Sequence, residues 1–217
     1  MNIAIFGASG GTGTLLTQRC LAAGHDVSAL LRTPEKFTLR DQGHIIQGSP
    51  FDIASVRQTI EGADAVLSAL GAKSLKKEDV LERAIPQIIA AMQESLSQAK
   101  PVRRIIVLGS AGALPSSLDK QPVWRRWIVQ NIVYNTFLKW PVVSQISQWN
   151  DLSHSNLDWT MVMPPMLTNG PARGAYRIDG EALPANGNRI SRADVADFMM
   201  QQIDNPQWIK RGVYISW

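Results

Sequence analysis

Short apolar runs alternate with longer mixed segments along this chain of 217 residues. Five of these runs, 2–6, 26–31, 44–47, 63–70 and 103–108, predict buried strands. The segments 12–23, 52–62 and 77–98 are predicted to be helices, with Gly24 ending the first, Asp52 capping the second and Pro86 kinking the third. This alternation predicts an α/β fold in which helices flank a doubly wound, mostly parallel sheet.

The second half of the chain is less regular. Residues 122–154 are predicted to be mostly helical with an interruption at Pro141, and 157–163 to form a sixth strand. The Gly- and Pro-rich stretch 167–188 predicts one short strand at 175–178, and 213–216 a last one. Ser191 begins a capping box for a helix that runs to 203. We expect one domain over 1–217, with 122–190 forming a small region on its substrate side.

Composition narrows the class of protein. The excess of 22 Lys and Arg over 18 Asp and Glu is spread along the chain, so no nucleic-acid partner is predicted. The chain has a single cysteine, Cys20, interpreted as a packed core thiol. Neither a signal peptide nor an apolar run of membrane-spanning length is predicted. A cytoplasmic protein without membrane association is expected. The three histidines are far apart in sequence, and no metal site is predicted.

A glycine-rich loop lies between the first predicted strand and the first predicted helix. It comprises Gly7, Ala8, Ser9, Gly10, Gly11, Thr12 and Gly13. Glycines at this spacing allow a tight turn, a close approach of the backbone to a pyrophosphate, and close helix–strand packing, while the helix N-terminus attracts the phosphates. A turn with no ligand is the alternative. Because Gly13 is followed by Thr14 and not by lysine, the loop predicts a dinucleotide, as in a Rossmann-type domain, and not a nucleoside triphosphate.

The end of the second strand indicates which dinucleotide is bound. An acidic residue there would bind the ribose 2′-hydroxyl of NAD, but this chain has Arg32. A guanidinium can bind a 2′-phosphate through two hydrogen bonds, and Lys36 is close enough in sequence to join it. The alternative is that both are ordinary surface cations. We predict NADP(H) as the cofactor.

Several segments resemble the atypical short-chain dehydrogenases/reductases, and within them the NmrA-like group that includes NADPH-dependent flavin and biliverdin reductases. The resemblance rests on residues 3–13, 24–32, Ser110-Ala111, 157–165, 174–176 and 190–199. It implies an NADP(H)-binding oxidoreductase in which Ser9, Gly10, Thr12 and Gly13 hold the pyrophosphate, and Arg32 and Lys36 hold the 2′-phosphate.

The same resemblance implies the remaining cofactor contacts. It places Leu70, Gly71 and Lys73 beside the cofactor, Ser110 near the nicotinamide, and Pro164, Pro165 and Met166 over the nicotinamide amide. The group commonly has Gly-Asp after the third strand, whereas this chain has Gly48, Ser49 and Pro50. Adenine binding at Ser49 and Pro50 would therefore rely on backbone and apolar contacts.

The usual catalytic pair of the superfamily, Tyr-x-x-x-Lys, is not found. Tyr134 and Lys139 are five residues apart, which places them about 140° from each other around a helix. Hydride transfer to a planar conjugated acceptor needs little acid–base help, and Ser110 is the candidate to orient such an acceptor. The alternative is that its hydroxyl is satisfied within its own loop, and both interpretations stay open.

Two functions follow from these observations. The first is NADPH-dependent reduction of a flavin, a quinone or a tetrapyrrole-like acceptor. The second is a redox-sensing regulator or scaffold that binds NADP(H) without turnover; an epimerase or dehydratase is a weaker third. Trp124, Trp127, Trp140 and Trp149 are candidates to line a flat acceptor pocket, or else to belong to the core or a dimer face. A monomer or a homodimer is expected.

Overall fold

Branched and small apolar residues form the strands at the centre of the protein. The computed structural model describes residues 1–71, 77–112, 114–132 and 139–217. The first six strands are β1 (Asn2–Phe6), β2 (Asp26–Leu31), β3 (His44–Gln47), β4 (Ala65–Ser68), β5 (Arg104–Leu108) and β6 (Asp158–Met163). Four more follow: β7 (Met166–Thr168), β8 (Arg177–Asp179), β9 (Arg189–Ser191) and β10 (Arg211–Ser216).

Helices occupy the connections between the strands. They are α1 (Gly11–Ala22), α2 (Ile53–Ile60), α3 (Val80–Ser95), α4 (Val123–Ile128), α5 (Lys139–Ser153) and α6 (Arg192–Gln201). Asp52 caps α2 by accepting a hydrogen bond of 2.9 Å from the Ser55 N–H, as predicted. Ser191 caps α6, and its hydroxyl lies 2.9 Å from the Asp194 N–H. Both predicted caps are confirmed.

Eight strands form one sheet in the order β3-β2-β1-β4-β5-β6-β10-β8. The strands from β3 to β10 in this order run parallel, and only β8 pairs antiparallel, with β10. The order reverses between β1 and β4, because the chain moves outwards from β1 to β3 and then returns to the other side of β1. Ligands of open α/β sheets bind beyond the carboxyl ends of the strands at such a point.

The core lies in two layers, one on each face of the sheet. Ala4 and Phe6 of β1 face the layer that includes residues of α2, α3 and α5. Ile3 and Ile5 face the other layer, which includes residues of α1 and α6. Strands covered on both faces explain the continuous apolar runs in the sequence. The predicted fold class, a doubly wound α/β domain with a mostly parallel sheet, is confirmed.

Corrections to the predicted elements concern mainly the second half of the chain. The sequence did not predict β7 and β9, which pair parallel in a separate two-stranded sheet. The strand expected at 175–178 is β8 at Arg177–Asp179, because its residues pair with Ile215 and its neighbours in β10. Pro141 lies inside α5 and does not interrupt it, because proline is tolerated in the first turn of a helix. Helix α3 contains Pro86, as predicted, but spans Val80–Ser95 and is therefore shorter at both ends than the predicted 77–98.

Within the described ranges, no helix combines the length and the apolar character needed to cross a lipid bilayer.

Candidate functional site

A cleft opens at the carboxyl ends of β1, β2 and β4, where the strand order reverses. It has a volume of about 570 Å³, within the range of small-molecule sites, roughly 300–1,000 Å³. Its walls come from the glycine loop and from the segments that follow β2, β3 and β4, together with residues of β5, β7 and α6. The lining residues that the sequence predicted are Gly7, Ser9, Gly10, Gly11, Thr12, Arg32, Pro50, Leu70 and Gly71.

The glycine loop needs glycine at two positions for steric reasons. Gly7 has a φ of 78°, and a β-carbon there would approach the Ala69 carbonyl carbon to 2.7 Å. Gly13 does not line the cleft, and a β-carbon on it would collide with the carbonyl oxygen of Gly7. Gly13 therefore allows helix α1 to pack directly beneath the loop, as its spacing predicted.

Helix α1 presents an N-terminus that suits a phosphate. Gly10 is its N-cap residue and supplies no side chain to the backbone N–H groups of the first turn. Its own N–H donates to the Gly7 carbonyl at 3.0 Å, which folds the loop over the start of the helix. The aligned peptide dipoles place a partial positive charge at this end of α1. Gly11 and Thr12 in the first turn line the cleft and can donate backbone N–H groups to a phosphate.

Arg32 reaches the cleft from the end of β2, whereas Lys36 does not. Arg32 is exposed and lines the cleft, and it makes no ion pair with any carboxylate of the described residues. Lys36 is exposed in a short 3-10 turn, Pro34–Lys36, outside the lining. Of the two cations predicted to bind a 2′-phosphate, the structure brings Arg32 to the cleft.

The wall expected to contact adenine is apolar. Pro50 lines it, but Ser49 does not; the Ser49 hydroxyl accepts a 3.3 Å hydrogen bond from the Phe51 N–H. Phe51 also lines the cleft, and the guanidinium carbon of Arg83 lies 4.2 Å from its ring centroid. Phe51 was not predicted from the sequence, although a large apolar residue directly after Gly-Ser-Pro was a usable signal.

The residues predicted to lie near the nicotinamide are not among those that line this cleft. Ser110, Pro164, Pro165 and Met166 do not line it, and Leu108 and Leu167 do. The loops after β5 and β6 nevertheless lie side by side, because the Ala111 N–H donates to the Pro164 carbonyl at 2.9 Å. The Ser110 hydroxyl accepts a long contact of 3.4 Å from the Gly112 N–H. Lys73 lies outside the described residues.

Arg192 is another lining residue that was not predicted from the sequence. It is the first residue of α6, far along the chain from the glycine loop, and its side chain lies beside Gly11. The segment Ser-Arg-Ala-Asp predicted the start of a helix, but its pattern did not indicate that its arginine lies at a ligand site.

The other candidate residues lie elsewhere. Tyr134 is outside the described residues, and Lys139 is exposed, with its ammonium 5.4 Å from the Trp140 ring centroid. Trp124 and Trp127 are 67% and 59% exposed. Trp149 instead packs edge-to-face on Trp159, with ring centroids 5.2 Å apart. These tryptophans therefore do not form one wall of the described cleft.

Cys20 lies in the core and not in this site, whereas Glu78 is an acidic residue among those that line the cleft. Cys20 is buried in the core, as predicted, and desolvation by burial raises the pKa of its thiol to about 12. Over the parts of the chain that the structure describes, His, Cys, Asp and Glu side chains nowhere gather in a group of three that can hold a metal ion.

Comparison with solved structures shows where this fold occurs. A short-chain dehydrogenase/reductase from Veillonella parvula, solved in complex with NADP, has a TM-score of 0.79 and 20% identity, covering 100% of this chain and 94% of that one. ChuY, described as an anaerobillin reductase from Escherichia coli O157:H7, has a TM-score of 0.76 and 20% identity, covering 100% and 97%. At these identities the likeness establishes the fold alone.

Comparison of sequences extends the likeness to a family. A curated relative, the reductase pytE from Aspergillus terreus, is 23% identical over 97% of this chain and 92% of its own length. A protein-family model described as NAD(P)H-binding matches residues 7–206, which include the glycine loop, Arg32 and Arg192. Because that match spans most of the chain, this protein belongs to the NAD(P)H-binding family, as the resemblance in its sequence predicted.

Proposed function

We propose that this protein is an NADPH-dependent reductase of planar conjugated acceptors, such as flavins, quinones or tetrapyrrole-like molecules. The observation that carries the choice of cofactor is Arg32, a cation at the end of β2 that lines the cleft where an NAD-specific site would have a carboxylate. The bound dinucleotide would supply a hydride to the acceptor.

The residues present fit such a dinucleotide. A β-carbon on Gly7 or Gly13 would collide with the backbone that gives the loop its shape, and the first turn of α1 offers its N–H groups beside this loop. Arg32 would bind the 2′-phosphate, and Pro50 and Phe51 would contact the adenine through apolar surface. Leu70 and Gly71 would continue the wall towards the nicotinamide.

The choice of a planar acceptor follows from what the chain lacks and from the names of its relatives. The sequence has no Tyr-x-x-x-Lys pair to exchange a proton with an alcohol. A conjugated acceptor needs mainly to be positioned, and its proton can come from solvent. Ser110 would orient the acceptor, since the 3.4 Å contact with the Gly112 N–H uses its hydroxyl only weakly. Relatives named as a reductase and an anaerobillin reductase agree with this reaction class.

Turnover with a panel of acceptors tests the proposal. The purified protein is mixed with NADPH and, separately, FMN, FAD, menadione or biliverdin, and the loss of NADPH absorbance is followed. We expect turnover above the buffer rate with at least one acceptor, and faster turnover with NADPH than with NADH. Binding of NADPH without turnover of any acceptor would contradict a reductase of this class.

A regulator that binds NADP(H) without turnover is the second candidate, and an exposed apolar surface favours it. Eight of the exposed large apolar side chains among the described residues lie between 123 and 146: Val123, Trp124, Trp127, Ile128, Ile132, Trp140, Val143 and Ile146. Exposed apolar surface of this kind is typical of interaction sites. This candidate predicts a partner whose association differs with NADP⁺, NADPH or no cofactor. Identical association in all three conditions would contradict it.

A further inference from the structure

Arg192 lies against the N-terminus of α1, although 181 positions separate it from Gly11 along the chain. A β-carbon on Gly11 would lie 3.0 Å from both Cδ and Nε of Arg192. The guanidinium therefore lies beside the first turn of α1, and Arg192 is part of the cleft wall.

The packing of α6 on α1 holds Arg192 in this place. An ion pair between Arg19 of α1 and Asp197 of α6 joins the two helices. Ser191 caps α6 directly before Arg192, and Asp194, two residues after Arg192, is buried. Asn169, which follows β7, accepts a 2.7 Å hydrogen bond from Nη1 of Arg192. The backbone and one end of the guanidinium are thus both fixed before any ligand arrives.

No carboxylate of the described residues neutralises the charge of Arg192. In the described parts of the protein its guanidinium bonds only to the neutral amide of Asn169, and no carboxylate pairs with it. Arg19, Arg57 and Arg126, by contrast, each pair with an Asp or Glu. A guanidinium has five N–H donors, so most of those on Arg192 remain for an anion in the cleft.

We propose that Arg192 and the first turn of α1 form one anion subsite that binds the pyrophosphate of the dinucleotide. The inference rests on the proposed cofactor site and adds a cation that the glycine motif does not contain. Arg32 would bind the 2′-phosphate at the end of β2, and Arg192 the bridging phosphates at α1. Charge-assisted hydrogen bonds from a held guanidinium add affinity that backbone N–H groups alone do not give.

Two ligands separate the two subsites. NADP⁺ contains both the pyrophosphate and the 2′-phosphate, whereas adenosine 2′-monophosphate contains only the latter. For Arg192→Ala we expect the Kd of NADP⁺ to rise about 10- to 100-fold, while the Kd of adenosine 2′-monophosphate changes by less than about twofold. Both are measured by calorimetric titration of the full chain.

Three further variants make the result specific. Arg192→Lys keeps the positive charge but loses the planar set of N–H donors. The Kd of NADP⁺ should therefore rise less than it does in Arg192→Ala. Asn169→Ala leaves the guanidinium free to move and should weaken NADP⁺ binding slightly, by about two- to fivefold. Arg189→Ala removes a nearby positive charge on β9 that does not line the cleft, and NADP⁺ binding should be unchanged.

The possible results distinguish this inference from the proposed function. If Arg192→Ala binds NADP⁺ as tightly as the natural chain, the subsite is wrong and the cofactor site stands. If the variant weakens NADP⁺ and adenosine 2′-monophosphate equally, Arg192 acts on the whole cleft through its structure and the subsite is also wrong. If the natural chain binds neither NADP⁺ nor NAD⁺, the proposed function itself fails.

Discussion

Arg32 is the side chain on which the proposed preference between the two dinucleotides depends. It lies at the end of β2, exposed and lining the cleft, where a carboxylate would bind the 2′-hydroxyl of NAD. A guanidinium cannot accept a hydrogen bond from that hydroxyl, but it binds a phosphate strongly. The preference for NADPH should therefore depend on this residue and little on the glycine loop, which contacts parts common to both dinucleotides.

Replacing Arg32 by glutamate should reverse the preference. We expect Arg32→Glu to raise the Kd of NADPH about 100-fold, because an attractive charge becomes a repulsive one beside the 2′-phosphate. The Kd of NADH should change by less than about threefold, since the carboxylate can accept from the free 2′-hydroxyl. Titration of both dinucleotides against the same protein measures the ratio.

Arg40→Glu is the matched control for this charge reversal. Arg40 is exposed in the same part of the chain, pairs with Asp41 at 3.7 Å and does not line the cleft. Its variant should keep the natural ratio of NADPH to NADH affinity. If Arg32→Glu lost the same factor in affinity for NADPH and for NADH, Arg32 would not recognise the 2′-phosphate.

The sequence predicted some residues in and beneath the cleft and missed others for a physical reason. Gly7 and Gly13 were predictable because their steric roles are local to one strand–turn–helix unit. Arg192 was not, because its place beside Gly11 depends on the packing of α6 against α1 across most of the chain. Lys36 was expected from its spacing to Arg32, but the 3-10 turn leaves it outside the cleft.

Helix α6 is tied to the end of the chain through one buried carboxylate. Asp194 accepts hydrogen bonds from the Arg173 N–H at 2.9 Å, the Gly174 N–H at 2.9 Å and the Trp217 indole at 2.9 Å. The Ser191 hydroxyl adds a fourth at 2.8 Å. Burial would raise the pKa of Asp194, but these donors together hold it below its ordinary value.

Asp194→Asn should destabilise this junction. An amide accepts these hydrogen bonds less well than a carboxylate and brings N–H donors against other donors, so the free energy of unfolding should fall by about 2–4 kcal/mol. Because the pKa of Asp194 is lowered in the folded state, its contribution is present above about pH 4 and is lost as the pH falls through the folded pKa. Denaturant unfolding at several pH values measures the difference.

Asp204→Asn serves as the control, since Asp204 is exposed and forms no ion pair within the described chain. Its free energy of unfolding should stay within about 0.5 kcal/mol of the natural value. A difference between Asp194→Asn and the natural chain that persists unchanged at pH 3 would contradict the role assigned to the ionised carboxylate.

The elements that the sequence predicted are those whose hydrophobic pattern extends over several consecutive residues of one segment. Strands β1 and β2 were predicted with their observed bounds, because apolar runs covered on both faces stand out from their neighbours. Strands β7 and β9 have three residues each and pair only with one another, about twenty positions apart. Three residues show no periodicity, and the pairing becomes visible only once β6 and α6 are in place.

The residues that line the proposed cofactor cleft and the exposed apolar residues between 123 and 146 belong to different parts of the chain. Among the described residues of the segment expected to form the substrate side, 122–190, only Leu167 lines the cleft. The side chains of Trp124 and Trp127 are mostly exposed instead. We therefore expect the cleft to bind its dinucleotide without Trp124 and Trp127. This expectation does not depend on whether the two side chains bind another molecule.

The double variant Trp124→Ser/Trp127→Ser tests this separation. We expect the Kd of NADPH, and kcat/KM for the best acceptor of the panel, to stay within about twofold of the natural values, because neither side chain lines the cleft. Trp149→Ala is the contrasting variant: it removes a ring packed on Trp159 and should lower the free energy of unfolding by about 3 kcal/mol. If the double variant kept its NADPH affinity but lost tenfold or more in kcat/KM, the two tryptophans would belong to the acceptor site, and the surface would have to close over the nicotinamide during turnover.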